Sequence, residues 1–363
     1  MTSPFPRFVL ARAFLKPLLG RILLCGAVLT ALLEVLALLE EASDILGRHL
    51  GVRGLIKFLA LHMPAMATEI MPLSVMIGAL FTLLQMALSN EITILRSSGL
   101  SSLDMYKHFL PAPIIVGFLT IIVQFWVVPP CEQALNKWWN VTDTAHDDIP
   151  SLWFREQKNI VHIEEVLEGG NRLKSVTIYH RDKKTGTLLN SVHYTELLQK
   201  NAHWFPSQKG LSTFLDHDQN KAQVISYDGD VPIVATPRQI IDMTLKDVYY
   251  TPAQLWHAIS GKSPSSLPPS NYLMAFFSVM FLPVQMAVML LVAFPVTYIP
   301  PRAGLRNPLP VYVMAAGLGI VILQGMISAL GNAGSLPIFL SVCSGPIIAT
   351  LFSLAWILRL EER

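Results

Sequence analysis

The sequence predicts an α-helical integral membrane protein with six transmembrane helices and an inserted all-β domain. Hydrophobic residues make up 52% of the 363 residues and charged residues only 14%, whereas soluble domains carry about 25% charged residues. The charges are unevenly distributed, because residues 137–262 hold 29 of them in 126 positions. Apolar runs long enough to cross a bilayer flank that segment on both sides.

Six apolar stretches reach the length of about 20 residues that a helix needs to cross a hydrocarbon core about 30 Å thick. They are Pro17–Leu39, Leu59–Leu88, His108–Val128, Tyr272–Ile299, Pro308–Leu330 and Leu336–Leu358. Three therefore lie in an N-terminal transmembrane half (residues 1–136) and three in a C-terminal transmembrane half (263–363). The polar segment between them (137–262) is predicted to be a separate domain.

The distribution of basic residues predicts the orientation of these helices. The short segments on one side of the membrane contain Arg7, Arg12, Lys16, Arg21, Arg96, Lys107, Arg302, Arg306, Arg359 and Arg363. Those on the other side contain only Arg48, Arg53 and Lys57. Because lysine and arginine accumulate in cytoplasmic loops, we expect both termini in the cytoplasm and residues 137–262 outside it. The first apolar run is too long for a cleavable signal peptide.

The segment 137–262 has the sequence pattern of a β-domain. Ile160–Ile163 and Ser175–Tyr179 are rich in β-branched residues, and a turn at 182–186 predicts a hairpin with Thr187–Tyr194. A second hairpin is predicted from Gln223–Tyr227, a turn at 228–230 and Val231–Ala235. Short strands at this spacing indicate a sandwich, a barrel or a jelly roll. Thr251–Ser260 is predicted to form a short helix before a Ser/Pro-rich linker.

Motifs for catalysis or cofactor binding give no positive signal. Gly261-Lys262-Ser263 looks like the end of a nucleotide-binding P-loop, but Trp256 occupies the place of the required glycine. The histidines show no metal-ligand spacing, and His162 beside two glutamates is interpreted as solvated surface. The net charge of +2 gives no basis for nucleic-acid binding. We therefore expect neither an enzyme nor a metal site.

Two glutamates within the apolar stretches are candidate functional residues, because ionisable groups inside a membrane are costly. Glu69 lies midway along the second stretch, close to Pro72. Glu34 lies near the outer end of the first stretch, and the alternative interpretation there is a solvated helix end. Glu69 could likewise lie at the membrane interface, since its stretch is longer than one crossing.

The segment after the second stretch, residues 89–100, predicts a short amphipathic helix at the cytoplasmic face. Asn90 or Ser89 is expected to cap its start, where Glu91 complements the positive end of the helix dipole. Gly99 is expected to end it. Such a helix is suited to docking on a cytoplasmic partner.

Here the sequence resembles the LptF/LptG family, the permease subunits of the lipopolysaccharide exporter. That family carries the pattern E-x4-[RQ]-[AS]-[SA]-G after its second span, which Glu91, Arg96, Ser97, Ser98 and Gly99 match. Further similar segments are 63–64, 71–73, 78–80, 126–134, 152–153 and 161–164. The resemblance extends over essentially the whole chain and is closer to the LptG branch.

The resemblance implies a periplasmic β-jelly roll, an inner-membrane location and a set of partners. These are a second LptF-like permease subunit, a dimeric cytoplasmic ATPase, a periplasmic bridge protein, a single-span LptC-like subunit and lipopolysaccharide itself. ATP and Mg would be bound by the ATPase, and this chain would bind no cofactor. The ATPase-coupling residues would be Glu91, Ile94, Leu95, Arg96 and Gly99.

The candidate substrate residues depart from the family in one respect. Members often have basic residues near the outer end of span one, where the phosphates of lipid A would lie. This chain has Glu34, Glu40, Glu41 and Asp44 there. Our hypothesis is that Arg48, Arg53 and Lys57 supply the cationic contacts instead, or that the lipid A carries fewer phosphates. Glu69 completes the set of cavity candidates.

Three alternative functions are weighed against this one. A permease or lever subunit of another ABC system, handling a lipid or lipoprotein, would share the coupling helix, but the lever type expects four spans. A membrane enzyme acting on a lipid-linked substrate would need a cluster of acids, histidines or metal ligands. The third alternative is a passive scaffold that anchors the periplasmic bridge. The only observation against it is that residues 89–100 match the pattern of the helix that couples the permease to its ATPase.

Overall fold

A computed structural model of the chain describes residues 7–142, 151–157, 159–182, 187–200, 203–216, 221–227, 231–244, 249–260, 263–300 and 307–361. The chain divides into a helical unit, Met1–Leu135 with Leu273–Arg363, and a second unit, Asn136–Tyr272. The predicted turn residues 183–186 and 228–230 lie outside the described residues. So do Gly261, Lys262, Arg302, Arg306 and Arg363.

The described residues form twelve α-helices and seven strands. The helices are α1 Arg7–Gly47, α2 Gly51–Leu88, α3 Glu91–Ser97, α4 Ser102–Phe109, α5 Pro111–Ile122, α6 Val128–Thr142, α7 Pro237–Thr244, α8 Pro252–Ile259, α9 Pro269–Met280, α10 Leu282–Ala293, α11 Leu309–Asn332 and α12 Ile338–Glu361. A π-helical turn, Val123–Val127, joins α5 to α6, and a 3₁₀ segment, Phe294–Tyr298, follows α10. The strands are β1 Leu152–Glu156, β2 Asn159–Leu167, β3 Arg172–Arg181, β4 Leu188–Lys200, β5 His203–Pro206, β6 Gly210–Asp216 and β7 Lys221–Tyr227.

Within the described residues, five helical stretches are long and apolar enough to cross a membrane. The predicted fourth span differs from the others, because α9 and α10 meet at an angle of 56°. Pro283 explains the break, since it has no amide hydrogen to continue the helical hydrogen bonds. The number of candidate spans is six if this bent pair is one span.

The first two helices are much longer than the apolar stretches that predicted them. Helix α1 has 41 residues and α2 has 38, so α1 is about 60 Å long at 1.5 Å per residue. The core of the helical unit lies mainly between α2, α5, α10 and the 3₁₀ segment. Gly78 permits a close approach of α1 and α2, because a Cβ atom there would lie 2.8 Å from the backbone of Ile22.

The second unit contains an antiparallel sheet with the order β1-β2-β3-β4-β6-β7, and β5 pairs with β4. The first predicted hairpin is confirmed as β3 and β4, where the Asp182 amide donates to the Thr187 carbonyl at 2.9 Å. The predicted helix at 251–260 is confirmed as α8, which begins with a capping box of Thr251 and Gln254.

The second predicted hairpin is wrong. Strand β7 pairs with β6, and residues 231–235 form no strand. Those residues contribute Ile233 and Ala235 to the buried cluster of the sheet unit. Their backbone polar groups are bonded by side chains instead, because the Trp204 indole donates to the Ala235 carbonyl at 2.9 Å and the Glu156 carboxylate accepts the Val234 amide at 3.1 Å.

Candidate functional site

Helix α3 is the helix predicted at residues 89–100, and its first turn begins differently from the prediction. Asn90 occupies the N-cap position with a left-handed φ of 63°, and no side chain caps the helix. The prediction that Asn90 or Ser89 caps it is therefore wrong. The Ser89 hydroxyl is instead 3.0 Å from the Glu91 carboxylate, to which it donates. Glu91 does lie in the first turn, where a negative charge complements the helix dipole.

The end of α3 confirms the predicted role of Gly99. Gly99 has a φ of 89°, in the region that favours glycine. Its amide donates to the Arg96 carbonyl at 2.9 Å, and the Leu100 amide donates to the Leu95 carbonyl at 3.2 Å. These two bonds form a Schellman motif, which satisfies the last carbonyls of the helix and reverses the chain.

The two faces of α3 differ in exposure. Ile92 is 2% exposed, and Leu95 packs partly buried against the core of the helical unit. Ile94 is 64% exposed, and Glu91 is exposed one turn before it. Because residues three apart are neighbours on a helix, Glu91 and Ile94 form one exposed surface with a negative charge and an apolar side chain. We call it the docking face.

Arg96 does not belong to the docking face. Its guanidinium donates to the Thr297 hydroxyl at 3.3 Å and lies 4.0 Å from the centroid of the Tyr298 ring. Both partners are in the 3₁₀ segment that ends the predicted fourth span. A cation over an aromatic face is attracted by the ring quadrupole. Arg96 therefore attaches α3 to the C-terminal half of the chain, which the motif alone does not indicate.

Tyr298 connects this contact to two more elements. Its hydroxyl donates to the Glu361 carboxylate at 2.7 Å and lies 2.7 Å from the Ser102 hydroxyl. Glu361 is the last residue of α12, and Ser102 is the first residue of α4. We call the set Arg96, Ser102, Thr297, Tyr298 and Glu361 the tyrosine cluster. Nearby, the Tyr106 hydroxyl of α4 donates to the Ala287 carbonyl of α10 at 2.9 Å.

Glu34 is buried rather than solvated. It is 4% exposed, and one of its carboxylate oxygens is 3.3 Å from Nδ1 of His62 on α2. The His62 ring also stacks on Phe58, with ring centroids 5.2 Å apart. The alternative of a solvated helix end is therefore wrong, because Glu34 lies on the side of α1 that packs against α2.

The remaining outer candidates do not form one cluster with Glu34. Arg53 and Lys57 are exposed one turn apart on α2, and Arg48 lies in the loop before it. Glu40 is exposed on α1. Glu69 is exposed too, but it lies about 120° around α2 from Lys57 at 3.6 residues per turn. The structure thus groups the three basic residues near the α1–α2 loop and separates Glu69 from them.

Near the start of α3, α1 and α2 border an open apolar cavity of about 710 Å³. Its lining residues are Arg21, Leu24, Cys25, Phe81, Leu84, Gln85, Leu88 and Ser89. The Arg21 guanidinium donates to the Gln85 side chain across it. This cavity is a feature that the sequence analysis did not anticipate.

In the sheet unit, His162 lies on the outer face of β2, half-buried, where it stacks on Trp153 at a centroid distance of 4.1 Å and its neighbour Glu164 is exposed, in agreement with the interpretation as a surface residue. Burial raises the pKa of Glu156, partly offset by the Val234 amide that it accepts. The Arg172 guanidinium lowers the pKa of Glu196 through a hydrogen bond. No group of three potential metal ligands occurs among the residues that the structure describes.

Comparison with known proteins gives concordant matches. The model of a family described as "Lipopolysaccharide export system permease LptF/LptG" matches residues 12–359. The lipopolysaccharide export system permease protein LptG of Haemophilus influenzae is 21% identical over 283 residues, which cover 77% of this chain and 78% of that protein. LptG of Escherichia coli K12 is 23% identical over 239 residues, which cover 64% of this chain and 65% of that protein.

Proposed function

The chain belongs to the LptF/LptG family of lipopolysaccharide export system permeases, and we propose that it extracts lipopolysaccharide by coupling to a separate ATPase. It is a non-catalytic subunit of the Lpt transport system and an inner-membrane protein. We propose that the ATPase is a cytoplasmic dimer that holds ATP and Mg, and that this chain itself binds no cofactor.

The proposed topology has six spans, with the bent pair α9–α10 as the fourth. Residues 1–136 and 263–363 would be the two transmembrane halves, both termini would be cytoplasmic, and residues 137–262 would be a periplasmic jelly-roll-like domain. The excess of basic residues on one side supports the sidedness. The seven antiparallel strands and their buried cluster support an independently packed β-domain.

The proposed coupling element is α3, through its docking face. Glu91 and Ile94 offer a charge and an apolar contact to a groove on the ATPase, while Ile92 and Leu95 hold the helix to the core of the helical unit. Gly99 ends the helix and fixes its direction. The exposure of Ile94, an apolar side chain that is 64% exposed beside the exposed Glu91, is the observation that carries this assignment.

The proposed substrate region lies near the outer ends of α1 and α2. Arg48, Arg53 and Lys57 would contact phosphates of lipid A, with Glu40 nearby, and Glu69 would face a polar surface inside the membrane because an exposed carboxylate in hydrocarbon is costly. Glu34 would contribute through its pairing with His62.

A second LptF-like permease would complete the cavity. A periplasmic bridge protein and a single-span LptC-like subunit would take up the lipid.

The test is a charge reversal on the docking face with a control on the same helix. Glu91→Lys should abolish co-purification of the ATPase and ATP-driven release of lipopolysaccharide, while the subunit remains folded and inserted. Thr93→Lys is the matched control, because Thr93 is exposed about 200° around α3 from Glu91 and receives the same charge. Normal ATP-driven release by the Glu91→Lys protein would refute the assignment of Glu91.

A further inference from the structure

The tyrosine cluster joins α3 to elements that are remote in the sequence. Arg96 comes from α3 and Ser102 from the start of α4, whereas Thr297, Tyr298 and Glu361 come from the C-terminal half. The Arg96 guanidinium lies over the face of the Tyr298 ring, and the Tyr298 hydroxyl is hydrogen-bonded to Ser102 and Glu361. One side chain therefore contacts α3, α4 and α12 together.

We propose that Tyr298 is a positioning residue that transmits displacement of α3 to the ends of the fourth and sixth spans. This inference rests on the proposed function, since it requires the ATPase to act on α3. Without the tyrosine cluster, α3 could tilt on its apolar contacts and leave the C-terminal helices where they are. With it, a movement of α3 carries the 3₁₀ segment and α12 along.

The Tyr298 hydroxyl donates the bond that reaches α12. It has a single hydrogen, and the Glu361 carboxylate can only accept, so this hydrogen goes to Glu361. The Ser102 hydroxyl, which also interacts with the Glu361 carboxylate, forms the second bond to the Tyr298 oxygen. Both bonds are 2.7 Å long, as expected for hydroxyl donors, and a bond to a carboxylate is stronger than a neutral one.

Two residues of the tyrosine cluster are buried, so the contacts of the cluster extend below the protein surface. Thr297 is 2% exposed and Ser102 is 8% exposed, so loss of a partner there leaves a polar group poorly hydrated. Phe294, in the same 3₁₀ segment, packs edge-on against Tyr106 of α4 at a centroid distance of 5.8 Å. Together with the bond from Tyr106 to the carbonyl of Ala287, this fixes α4 to the fourth span at a second point.

The experiment separates coupling from folding. Tyr298→Phe keeps the ring under Arg96 and removes the hydroxyl bonds, and Glu361→Ala removes the acceptor carboxylate at an exposed position. Each variant is purified as the full transporter with its ATPase in lipid nanodiscs, and the lipopolysaccharide released per ATP hydrolysed is measured. We expect a fall of about tenfold in this ratio for each, from the strength of a hydrogen bond to a charged group, while ATP hydrolysis and assembly remain.

The double variant provides the specific readout. If Tyr298 and Glu361 act through their mutual bond, Tyr298→Phe with Glu361→Ala lowers the ratio no further than either change alone. Tyr312→Phe, on an exposed tyrosine of α11, and Lys107→Gln, in an ion pair within α4, are matched controls that should leave the ratio unchanged.

The outcomes distinguish the two proposals. If the unaltered transporter hydrolyses ATP and releases lipopolysaccharide but Tyr298→Phe matches it, the role of Tyr298 is refuted and the proposed function stands. The role of Tyr298 is refuted as well if the double variant lowers the ratio by the product of the two single effects. If the unaltered chain assembles with no ATPase, the proposed function itself is wrong.

Discussion

The sheet unit and the helical unit differ in how well the sequence pattern indicates which side chains are buried. In β1, burial alternates residue by residue, so Leu152 and Phe154 are buried while Trp153 is 50% exposed. In α1, leucine occurs on every side, with Leu18 fully buried and Leu24 64% exposed. Polarity therefore identifies the inner face of the sheet but not that of the helix. When the surrounding medium is hydrocarbon, close packing of small residues decides which helix faces meet.

Truncation of the sheet core should have the largest effect on stability. Val161, Ile178 and Val192 lie side by side on adjacent strands and are all fully buried. Ile178→Ala removes atoms from this layer and should cost about 2–5 kcal/mol in the unfolding free energy of the sheet unit. The measurement is the urea dependence of proteolysis within residues 136–272 of the membrane-inserted protein.

The control for this change is Ile225→Ala on β7, where the isoleucine is 52% exposed. It should alter the same free energy by no more than about 0.5 kcal/mol. Equal losses in the two variants would mean that alternation does not mark the core of this sheet.

In the helical unit the comparable test adds an atom instead of removing one. Gly78→Ala places a Cβ atom 2.8 Å from the Ile22 backbone, which can move only if α1 moves. Overpacking of this kind should cost about 1–3 kcal/mol. It should appear as a lower midpoint of thermal unfolding in detergent, followed by tryptophan fluorescence.

Gly325→Ala is the matched control, because it lies within α11 and a Cβ atom there meets nothing within 4 Å. It should leave the midpoint unchanged or raise it slightly, since alanine favours helix. A similar loss in both variants would show that close approach is not what selects glycine at position 78.

A smaller effect is expected from Glu156, a carboxylate buried on the inner face of β1. Burial raises the pKa of Glu156 above its ordinary 4.5, so the folded state holds the proton more tightly than the unfolded state. The stability that this proton contributes is complete below about pH 4.5 and is lost as the pH rises through the raised pKa.

Unfolding of the native chain and of Glu156→Gln, measured at several pH values, should therefore give a stability difference that shifts in favour of the native chain as the pH falls. Taking the difference between the two proteins cancels the contributions of other titrating groups to the pH dependence. One of them is His180: burial lowers its pKa, so its contribution to stability changes with pH in the opposite direction. A difference that is constant with pH would contradict the burial of the Glu156 charge.

For α3, the sequence supplied the motif and the end of the helix at Gly99, but not the cap at its start or the residues that attach it to the rest of the chain. The family predicted from Glu91, Arg96 and Gly99 is confirmed by the match to residues 12–359, and the turn at Gly99 is formed as expected. Arg96 gave no sign of its partner, because Tyr298 is 202 residues away and no local pattern pairs them. The pairing of Glu34 with His62 was missed for the same reason.

The sequence by itself determined the division of the chain into apolar and polar parts, the position of α3 and the first hairpin of the sheet. Each follows from local composition, periodicity or turn chemistry, which act within a few residues. Only the tertiary structure decided that Val231–Ala235 covers the sheet as an irregular segment, that Glu34 is buried and that Tyr298 joins α3 to α12. These depend on which distant surfaces meet, and that is set by shape and packing over the whole unit rather than by any one segment.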